Sequence, residues 1–373
     1  MHYFFILKMD MNAVYLTIII LLIVLLVYLY AKFQHAKTCL TELEEKIGVG
    51  EVYCASTKRK DGAQLRPFDE KSLGKDKTYK EYYTEVEQLI DNAAKLNDFG
   101  KSDALSKACL RALKTGKHLR AIILMDICRT ISKGKTDPAE AALFVEYIHA
   151  ASLIIDDMPE FDNDLIRREQ LSIHAEFGKT TAQLSGIILV STGFQNMCRQ
   201  IDWIRAHRPD IKNIDRICTK LADMTFESIG PYGLAGGQFI DIDKETVLNN
   251  TEQYIDLMQK KTAVLFELAF CVGWIIAGGA YSKLELVQEV GKNIGIAFQI
   301  ADDISDVKTD AITAAEKGKP DLNFASKYTM NVALIEYNKF KNGAILLMKQ
   351  LGIYTPLWEK ELFPLIEPKI VDE

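Results

Sequence analysis

This 373-residue sequence has no cysteines at the spacings typical of disulfide frameworks or metal sites. Its seven cysteines never occur in CxxC spacing and do not form a zinc-knuckle pattern, so neither a disulfide framework nor a zinc-based nucleic-acid module is indicated. There is no lysine- and arginine-rich block, and the net charge of −6 offers nucleic acid little electrostatic attraction. The scattered cysteines fit a reducing, cytosol-facing compartment.

Repeats at solenoid period, low-complexity tracts and Ser-His-Asp or Cys-His patterns are also lacking. What is present is a globular balance of 48% hydrophobic and 26% charged residues, which excludes disordered, collagen-like and coiled-coil proteins.

One long apolar run stands near the start, after an N-terminal tail of residues 1–12. Residues 13–31 read AVYLTIIILLIVLLVYLYA and contain no charge. A helix of this length spans about 28 Å, close to the thickness of a bilayer's hydrocarbon core. We therefore predict a transmembrane anchor, over the alternatives of a cleaved signal peptide, whose apolar region is shorter, and a buried core helix. Lys32 and Lys37 follow the run and place the C-terminal bulk in the cytosol by the positive-inside rule.

Residues 32–77 are polar and lack a sustained periodic pattern, which predicts a linker. In residues 78–373, apolar residues recur at intervals of three and four, as in AALFVEYIHAASLII and TAVLFELAFCVGWIIAGG. This spacing predicts an all-α domain.

Two acidic clusters each follow an apolar helical run. The first is DDMPEFDND at residues 156–164, and the second is DDISD at residues 302–306. Asp302 and Asp306 are one helical turn apart and share a face. A bend at Pro159 could bring Asp162 or Glu160 back towards Asp156.

A charge run is most often a solvated helix end, but two such clusters in one chain favour a cation site. Carboxylates this close repel one another unless a hard cation neutralises them. Without histidine or cysteine ligands, Mg²⁺ bridging to a diphosphate is favoured over zinc or iron. A diphosphate also needs cationic side chains, and arginine forks suit its oxygens. The candidates are Lys117, Arg120, Arg167, Arg168 and Lys261.

With these motifs in place, the sequence resembles the trans-isoprenyl diphosphate synthases, and within them the geranylgeranyl diphosphate synthase branch. The similarity runs from about Leu105 to Tyr328 and its pieces occur in family order: GKHLR, EYIHAASLIIDDMPEFDND, RRE followed by His174, GGQFIDI, KT and FQIADDISD. The resemblance implies a helical bundle around a central cavity, usually as a homodimer.

The resemblance also implies roles for individual residues. About three Mg²⁺ ions would be held by Asp156, Asp157, Asp162, Asp302, Asp303 and Asp306. Isopentenyl diphosphate would be held by Lys117, Arg120, His149 and Arg168. Arg167 and Lys261 would hold the allylic diphosphate, Thr262 and Gln299 would lie near the developing carbocation, and Gln238 and Asp241 would support the second metal cluster.

Two histidines in this pattern have a simpler interpretation. His149 lies in an apolar helical run, where a lone histidine is usually a core residue, and only its place in the motif favours phosphate binding. For His174, a functional and a structural role are equally supported.

Several positions depart from the family pattern. The usual proline does not follow Arg120, Glu169 stands where glycine is expected, and Ile155 replaces a histidine. Lys308, Lys317 and Lys319 compete for a further lysine site, and we favour Lys319. Every expected metal ligand is retained, so these changes bear on rate and affinity rather than on reaction type.

The product is expected to grow alongside the helix that ends in the first aspartates. Ala151 and Ser152, five and four positions before Asp156, are small and leave room beyond farnesyl length. We therefore predict geranylgeranyl diphosphate as the main product, with Tyr147 as a candidate floor.

Two other functions are compatible with these sequence features. Class I terpene cyclases and head-to-head synthases also use DDxxD and Mg²⁺ but usually lack the cationic set for isopentenyl diphosphate. A membrane-anchored regulatory subunit of a prenyl synthase would be expected to have eroded aspartate clusters, whereas both are intact here.

Overall fold

The computed structural model describes residues 65–66, 76–114, 116–243, 246–317 and 322–369, with only the backbone described for residues 308–317. The predicted tail, anchor and most of the linker, together with Lys319, lie outside these residues. None of the helices in the described ranges is long and apolar enough to span a membrane.

The predicted all-α domain is confirmed, with one short hairpin added. The elements are α1 (Tyr79–Lys95), α2 (Asp103–Leu113), α3 (Leu119–Ser132), α4 (Ala139–Asp156), β1 (Ile166–Arg167), β2 (Gln170–Leu171), α5 (Ile173–Phe177), α6 (Lys179–His207), α7 (Ile214–Ile229), α8 (Leu234–Ile242) and α9 (Thr251–Met258). They continue with a π-helical turn (Gln259–Ala263), α10 (Val264–Ile276), a 3₁₀ turn (Tyr281–Lys283), α11 (Leu284–Lys317), α12 (Phe324–Tyr328), α13 (Met330–Leu351), a second π-helical turn (Trp358–Leu362) and α14 (Phe363–Leu365).

The core is built around α10, which is buried along almost its whole length. It packs against α3 on one side and α11 on the other. Two glycines permit this close approach, because a Cβ at Gly273 on α10 would lie 2.7 Å from the Leu124 carbonyl oxygen on α3, and one at Gly291 on α11 would lie 2.6 Å from Glu267 Cα on α10. Helices 3, 4 and 10 are apolar on most faces, as expected for helices surrounded by others.

Helix α1 begins at a capping box. The Thr78 hydroxyl accepts from the Glu81 backbone N–H, and the Glu81 carboxylate accepts from the Thr78 backbone N–H at 2.8 Å.

Two residues of the predicted linker contact the helical domain. Leu65 is buried, and Arg66 pairs with Glu85 on α1 and with Asp137 ahead of α4, at 2.6 Å for Asp137. Arg129 on α3 donates to the same Glu85 carboxylate. The chain is therefore attached to the bundle at Arg66, thirteen residues before α1 begins at Tyr79.

Candidate active site

The first acidic cluster forms a turn at the end of α4. The helix ends at Asp156, before Pro159, and the following loop folds back so that the Asp162 backbone N–H donates to the Asp156 carbonyl at 3.0 Å. The expected return of Asp162 towards Asp156 is confirmed. Glu160 lies elsewhere, 3.3 Å from Lys179.

Two carboxylates of this loop have raised pKa values although Lys261 and Arg167 lie near them. Burial, with the Asp162 carboxylate adding to it, raises the pKa of Asp156 to about 7. Burial also raises the pKa of Asp157, although Arg167 pairs with its carboxylate and opposes the shift. Buried carboxylates that repel one another are the environment that a divalent cation would stabilise.

The second acidic cluster lies on α11. Asp302 and Asp306 are exposed and one turn apart, as predicted. Asp303 is buried, and its two oxygens accept hydrogen bonds from the Gln299 amide at 2.8 Å and the Phe324 backbone N–H at 2.9 Å. Asp303 thus attaches α11 to the start of α12, and its carboxylate already has two protein donors.

The π-helical turn between α9 and α10 connects the two clusters. Lys261 donates to Asp241 on α8 at 2.5 Å. Burial by itself lowers the pKa of Lys261, but Asp241, Asp162 and Asp156 outweigh it, so the pKa is raised. Next along the chain, the Thr262 hydroxyl donates to Gln299 Oε1 at 2.6 Å. The Gln299 amide nitrogen in turn donates to the Asp303 carboxylate. Lys261 therefore faces the first cluster, and Thr262 faces the second.

The cations predicted to bind isopentenyl diphosphate lie together beside α4. An Arg168 guanidinium nitrogen lies 3.0 Å from where a Cβ at Gly116 would be, which brings Arg168 against the GKHLR segment. Arg120 Nη1 lies 3.2 Å from His149 Nε2. Because a guanidinium only donates, His149 Nε2 must accept, so the ring is neutral. Burial and the neighbouring cations accordingly hold the pKa of His149 well below its usual value.

This group of cations is arranged for an anion. Burial, with Arg168 adding to it, lowers the pKa of Arg120 to about 10, so Arg120 stays charged near neutral pH. Its buried Nε has no hydrogen-bond partner among the described residues. Arg168 gains its position from the β1–β2 hairpin, where Arg168 and Glu169 both have left-handed backbone angles of 51° and 63°. Glu169 therefore adopts a backbone conformation that favours glycine, the residue that the family pattern has at this position.

The donor set fits metal ions that also take oxygens from substrate or water. Within the part of the chain that the structure describes, no three or more acidic, histidine or cysteine side chains converge closely enough to hold a metal ion alone. Mg²⁺ does not require such a cage, because it usually binds through one or two carboxylates together with phosphate oxygens and water.

The remaining predicted residues differ in burial and in hydrogen bonding. Gln238 on α8 is buried, and neither polar side-chain atom has a hydrogen-bond partner within the described ranges. Ser152 is partly exposed and donates to the His149 carbonyl at 2.9 Å, whereas Ala151 is buried. His174 lies 3.0 Å from the Ser172 hydroxyl, a local contact that favours its structural role.

Three residues beside the cationic set, His118, Glu87 and Glu146, were not predicted from the sequence. The His118 side chain is enclosed between the carboxylates of Glu87 on α1 and Glu146 on α4. The signal was present, since His118 lies inside GKHLR and Glu146 is the one acidic residue in the apolar stretch of residues 141–155. Such a charge needs a partner when it is buried.

A helical bundle with two aspartate clusters facing a lysine–threonine turn defines a class of enzymes that act on prenyl diphosphates. The family described as Polyprenyl synthetase matches residues 102–344, and the chain belongs to this family. Its activity is that of a trans-prenyltransferase.

Individual relatives agree with this assignment. The chain is 34% identical over 289 residues to a trans-prenyltransferase of African swine fever virus, covering 76% of this chain and 82% of the relative. It is 30% identical over 247 residues to a chloroplastic heterodimeric geranylgeranyl pyrophosphate synthase large subunit of Arabidopsis thaliana, covering 65% and 64% of the two chains. Among solved structures, an FPP/GFPP synthase from Zymomonas mobilis has a TM-score of 0.59 and 26% identity, covering 73% of this chain and 93% of that one.

Proposed function

We propose that the protein condenses isopentenyl diphosphate with an allylic diphosphate, whether dimethylallyl, geranyl or farnesyl, to give mainly geranylgeranyl diphosphate. The single observation that carries the proposal is the convergence of two acidic clusters on the Lys261–Thr262 turn, with a separate set of cations beside α4. The acidic side suits a metal-bound leaving group, and the cationic side suits a second diphosphate that stays intact.

The proposed roles follow from charge. Lys261 and Arg167 bind the allylic diphosphate, since both lie among the first aspartates. Lys117, Arg120, His149 and Arg168 bind isopentenyl diphosphate. About three Mg²⁺ ions, when bound, neutralise the charge that grows on the departing diphosphate. Asp156, Asp162, Asp302 and Asp306 would hold them, and Asp157 and Asp303 would fix the positions of the two clusters as well as adding negative charge.

The reaction needs no protein nucleophile. The allylic C–O bond breaks with both electrons leaving on the diphosphate, and the double bond of isopentenyl diphosphate attacks the allylic cation. A proton then leaves the new tertiary cation to form the trans alkene, and the released diphosphate accepts it. The Gln299 carbonyl and the Thr262 hydroxyl place oxygen dipoles beside the cation. Apolar side chains around the cation would exclude water that would otherwise trap it.

The proposed product length rests on small side chains near the first cluster. Ser152 lies one turn before Asp156 on the partly exposed face of α4 that also carries His149. Ala151 adds little volume beside it. Tyr147, four residues before Ala151, is buried against Phe99 with ring centroids 5.5 Å apart, which suits a floor.

The decisive experiment is product analysis of the purified full-length protein with Mg²⁺ and each allylic primer, with and without isopentenyl diphosphate. We expect geranylgeranyl diphosphate only when both substrates are present. Release of diphosphate from the allylic substrate alone, with a hydrocarbon product, would indicate a cyclase. Absence of turnover until a second synthase is added would indicate a regulatory subunit.

We also propose that residues 13–31 anchor the protein in a membrane with the catalytic domain in the cytosol, and that the enzyme is a homodimer. The anchor is supported by the uncharged run, and the dimer by the family resemblance. Flotation of the full chain with liposomes, against a variant lacking residues 1–31, tests the anchor. Light scattering of the detergent-solubilised protein tests the dimer, and a monomeric mass with full activity would contradict it.

A further inference from the structure

His118 is enclosed by carboxylates between two of the proposed substrate-binding cations. Its side chain has no exposed surface, Nδ1 lies 2.8 Å from Glu146 Oε2, and Nε2 lies 2.8 Å from Glu87 Oε1. An ionised carboxylate can only accept hydrogen bonds, so both ring nitrogens must donate. The ring is therefore an imidazolium in the folded protein.

Other charged and titratable groups surround this ring. From α1, the Tyr83 ring lies 5.2 Å from the imidazole, and from α2, Lys114 lies 3.6 Å from the second Glu87 oxygen. Near the other end of this group, Arg120 and Arg168 lie within electrostatic reach of Glu146. Burial by itself lowers the pKa of His118, but Glu146 and Glu87 outweigh burial and the pKa is raised.

The same contacts fix the backbone of the GKHLR segment. His118 has a left-handed backbone with φ of 50°, and the preceding carbonyl, that of Lys117, accepts from the Tyr79 hydroxyl at 2.8 Å. After His118, the Ala121 backbone N–H donates to Glu146 Oε1 at 3.2 Å. A single carboxylate thus holds both the ring and the first turn of α3, while Lys117 is exposed.

We propose that His118 is a positioning residue whose imidazolium, held by Glu87 and Glu146, sets Lys117 and Arg120 in place for isopentenyl diphosphate. The inference rests on the proposed isopentenyl diphosphate site and adds a pH dependence to it. When the ring loses its proton, one nitrogen can no longer donate, so one carboxylate contact is lost and the segment loosens. The affinity for isopentenyl diphosphate is then expected to fall as the pH rises above the usual pKa range of histidine.

The test compares His118→Gln and Glu87→Gln with Asp91→Asn, a matched control. Asp91 is one turn further along α1 and pairs with Lys114 at 2.5 Å. The KM for each substrate and kcat are measured with purified full-length protein from pH 6 to 9. The substrate's own titration is common to all variants and cancels in the comparison.

His118→Gln is expected to raise the KM for isopentenyl diphosphate about tenfold at the acidic end, with kcat and the allylic KM nearly unchanged. Glu87→Gln removes one negative charge beside the ring, so the rise in this KM with pH should begin at a lower pH. Asp91→Asn should leave the profile unchanged. Glu87 is partly exposed, so its variant keeps the test available if His118→Gln does not fold.

Two results would overturn the inference. One is an unchanged pH profile in Glu87→Gln; the other is a parallel change of both KM values and kcat in His118→Gln, which would indicate a general structural role. Lys117→Ala distinguishes an error in the proposed isopentenyl diphosphate site from an error in the positioning role of His118. If it leaves the KM for isopentenyl diphosphate unchanged, the proposed site is wrong; if it raises this KM while the His118 and Glu87 variants do not, only the positioning role is wrong.

Discussion

The Thr262 hydroxyl donates a hydrogen bond to the Gln299 side-chain oxygen at 2.6 Å, which joins the π-helical turn before α10 to the face of α11 that carries the second aspartate cluster. The Gln299 amide nitrogen donates in turn to Asp303. Because Asp303 can only accept when ionised, the orientation of the amide is fixed, with its oxygen towards Thr262.

Thr262→Val removes this hydrogen bond while keeping the shape of the side chain. We expect kcat to fall about tenfold, because the Gln299 oxygen loses the donor that holds it beside the developing cation, with both KM values little changed. Thr262→Ser keeps the hydroxyl and is the matched control. Steady-state kinetics measure kcat and both KM values for the two variants. Equal kcat values would contradict the role of the Thr262 hydroxyl in holding the Gln299 oxygen.

Asp156→Asn tests the metal cluster. We expect kcat/KM to fall about a hundredfold or more, because the remaining carboxylates hold a divalent cation less tightly. Mg²⁺ with inorganic diphosphate should raise the thermal midpoint of the wild type but raise that of the variant much less. Glu160→Gln is the control, since this acid of the same loop lies beside Lys179. Normal activity in Asp156→Asn would contradict the proposed site.

We expect the buried carboxylate of Asp126 on α3 to make the free energy of unfolding depend on pH, independently of catalysis. Burial raises the pKa of Asp126 to about 6, although the Tyr82 and Thr355 hydroxyls donate to it at 3.2 and 3.1 Å. The unfolded chain releases this proton at about pH 4 and the folded chain at about pH 6. The contribution of Asp126 to stability therefore falls as the pH rises through this window.

Asp126→Asn should accordingly raise the free energy of unfolding at pH 8 by about 1 kcal/mol or more, and by less at pH 4.5. Urea unfolding at the two pH values measures both. Asp103→Asn, at an exposed acid on α2, should change neither value. A variant that is destabilised at pH 8 would show that the ionised carboxylate is needed.

Bulky residues beside the first cluster should shorten the product. Ala151→Phe and Ser152→Phe are both expected to move the main product from C20 towards C15, and the effect should be larger for Ser152 because it lies on the partly exposed face below Asp156. Ser152→Thr adds little volume and is the control. Chromatography of the dephosphorylated products gives the distribution, and an unchanged C20 profile in both Phe variants would defeat the assignment.

Individual elements show where sequence reasoning succeeded and where it stopped. The shared face of Asp302 and Asp306 follows from helical periodicity, and the structure agrees. The return of Asp162 was anticipated, but as a bend at Pro159, whereas α4 ends earlier and the loop closes through backbone hydrogen bonds. The attachment of Arg66 to Glu85 and Asp137 could not be anticipated, because its partners are 19 and 71 residues away.

Residue type and local spacing were enough to predict the helical class, the chemistry of the two aspartate clusters and the kind of substrate. The packed structure was needed to show which carboxylates already have protein donors, as Asp303 and Asp157 do, and that His118 is held as a cation while His149 is neutral. The physical reason is that protonation and hydrogen bonding depend on neighbours brought together from distant parts of the chain, where burial strengthens every charge interaction.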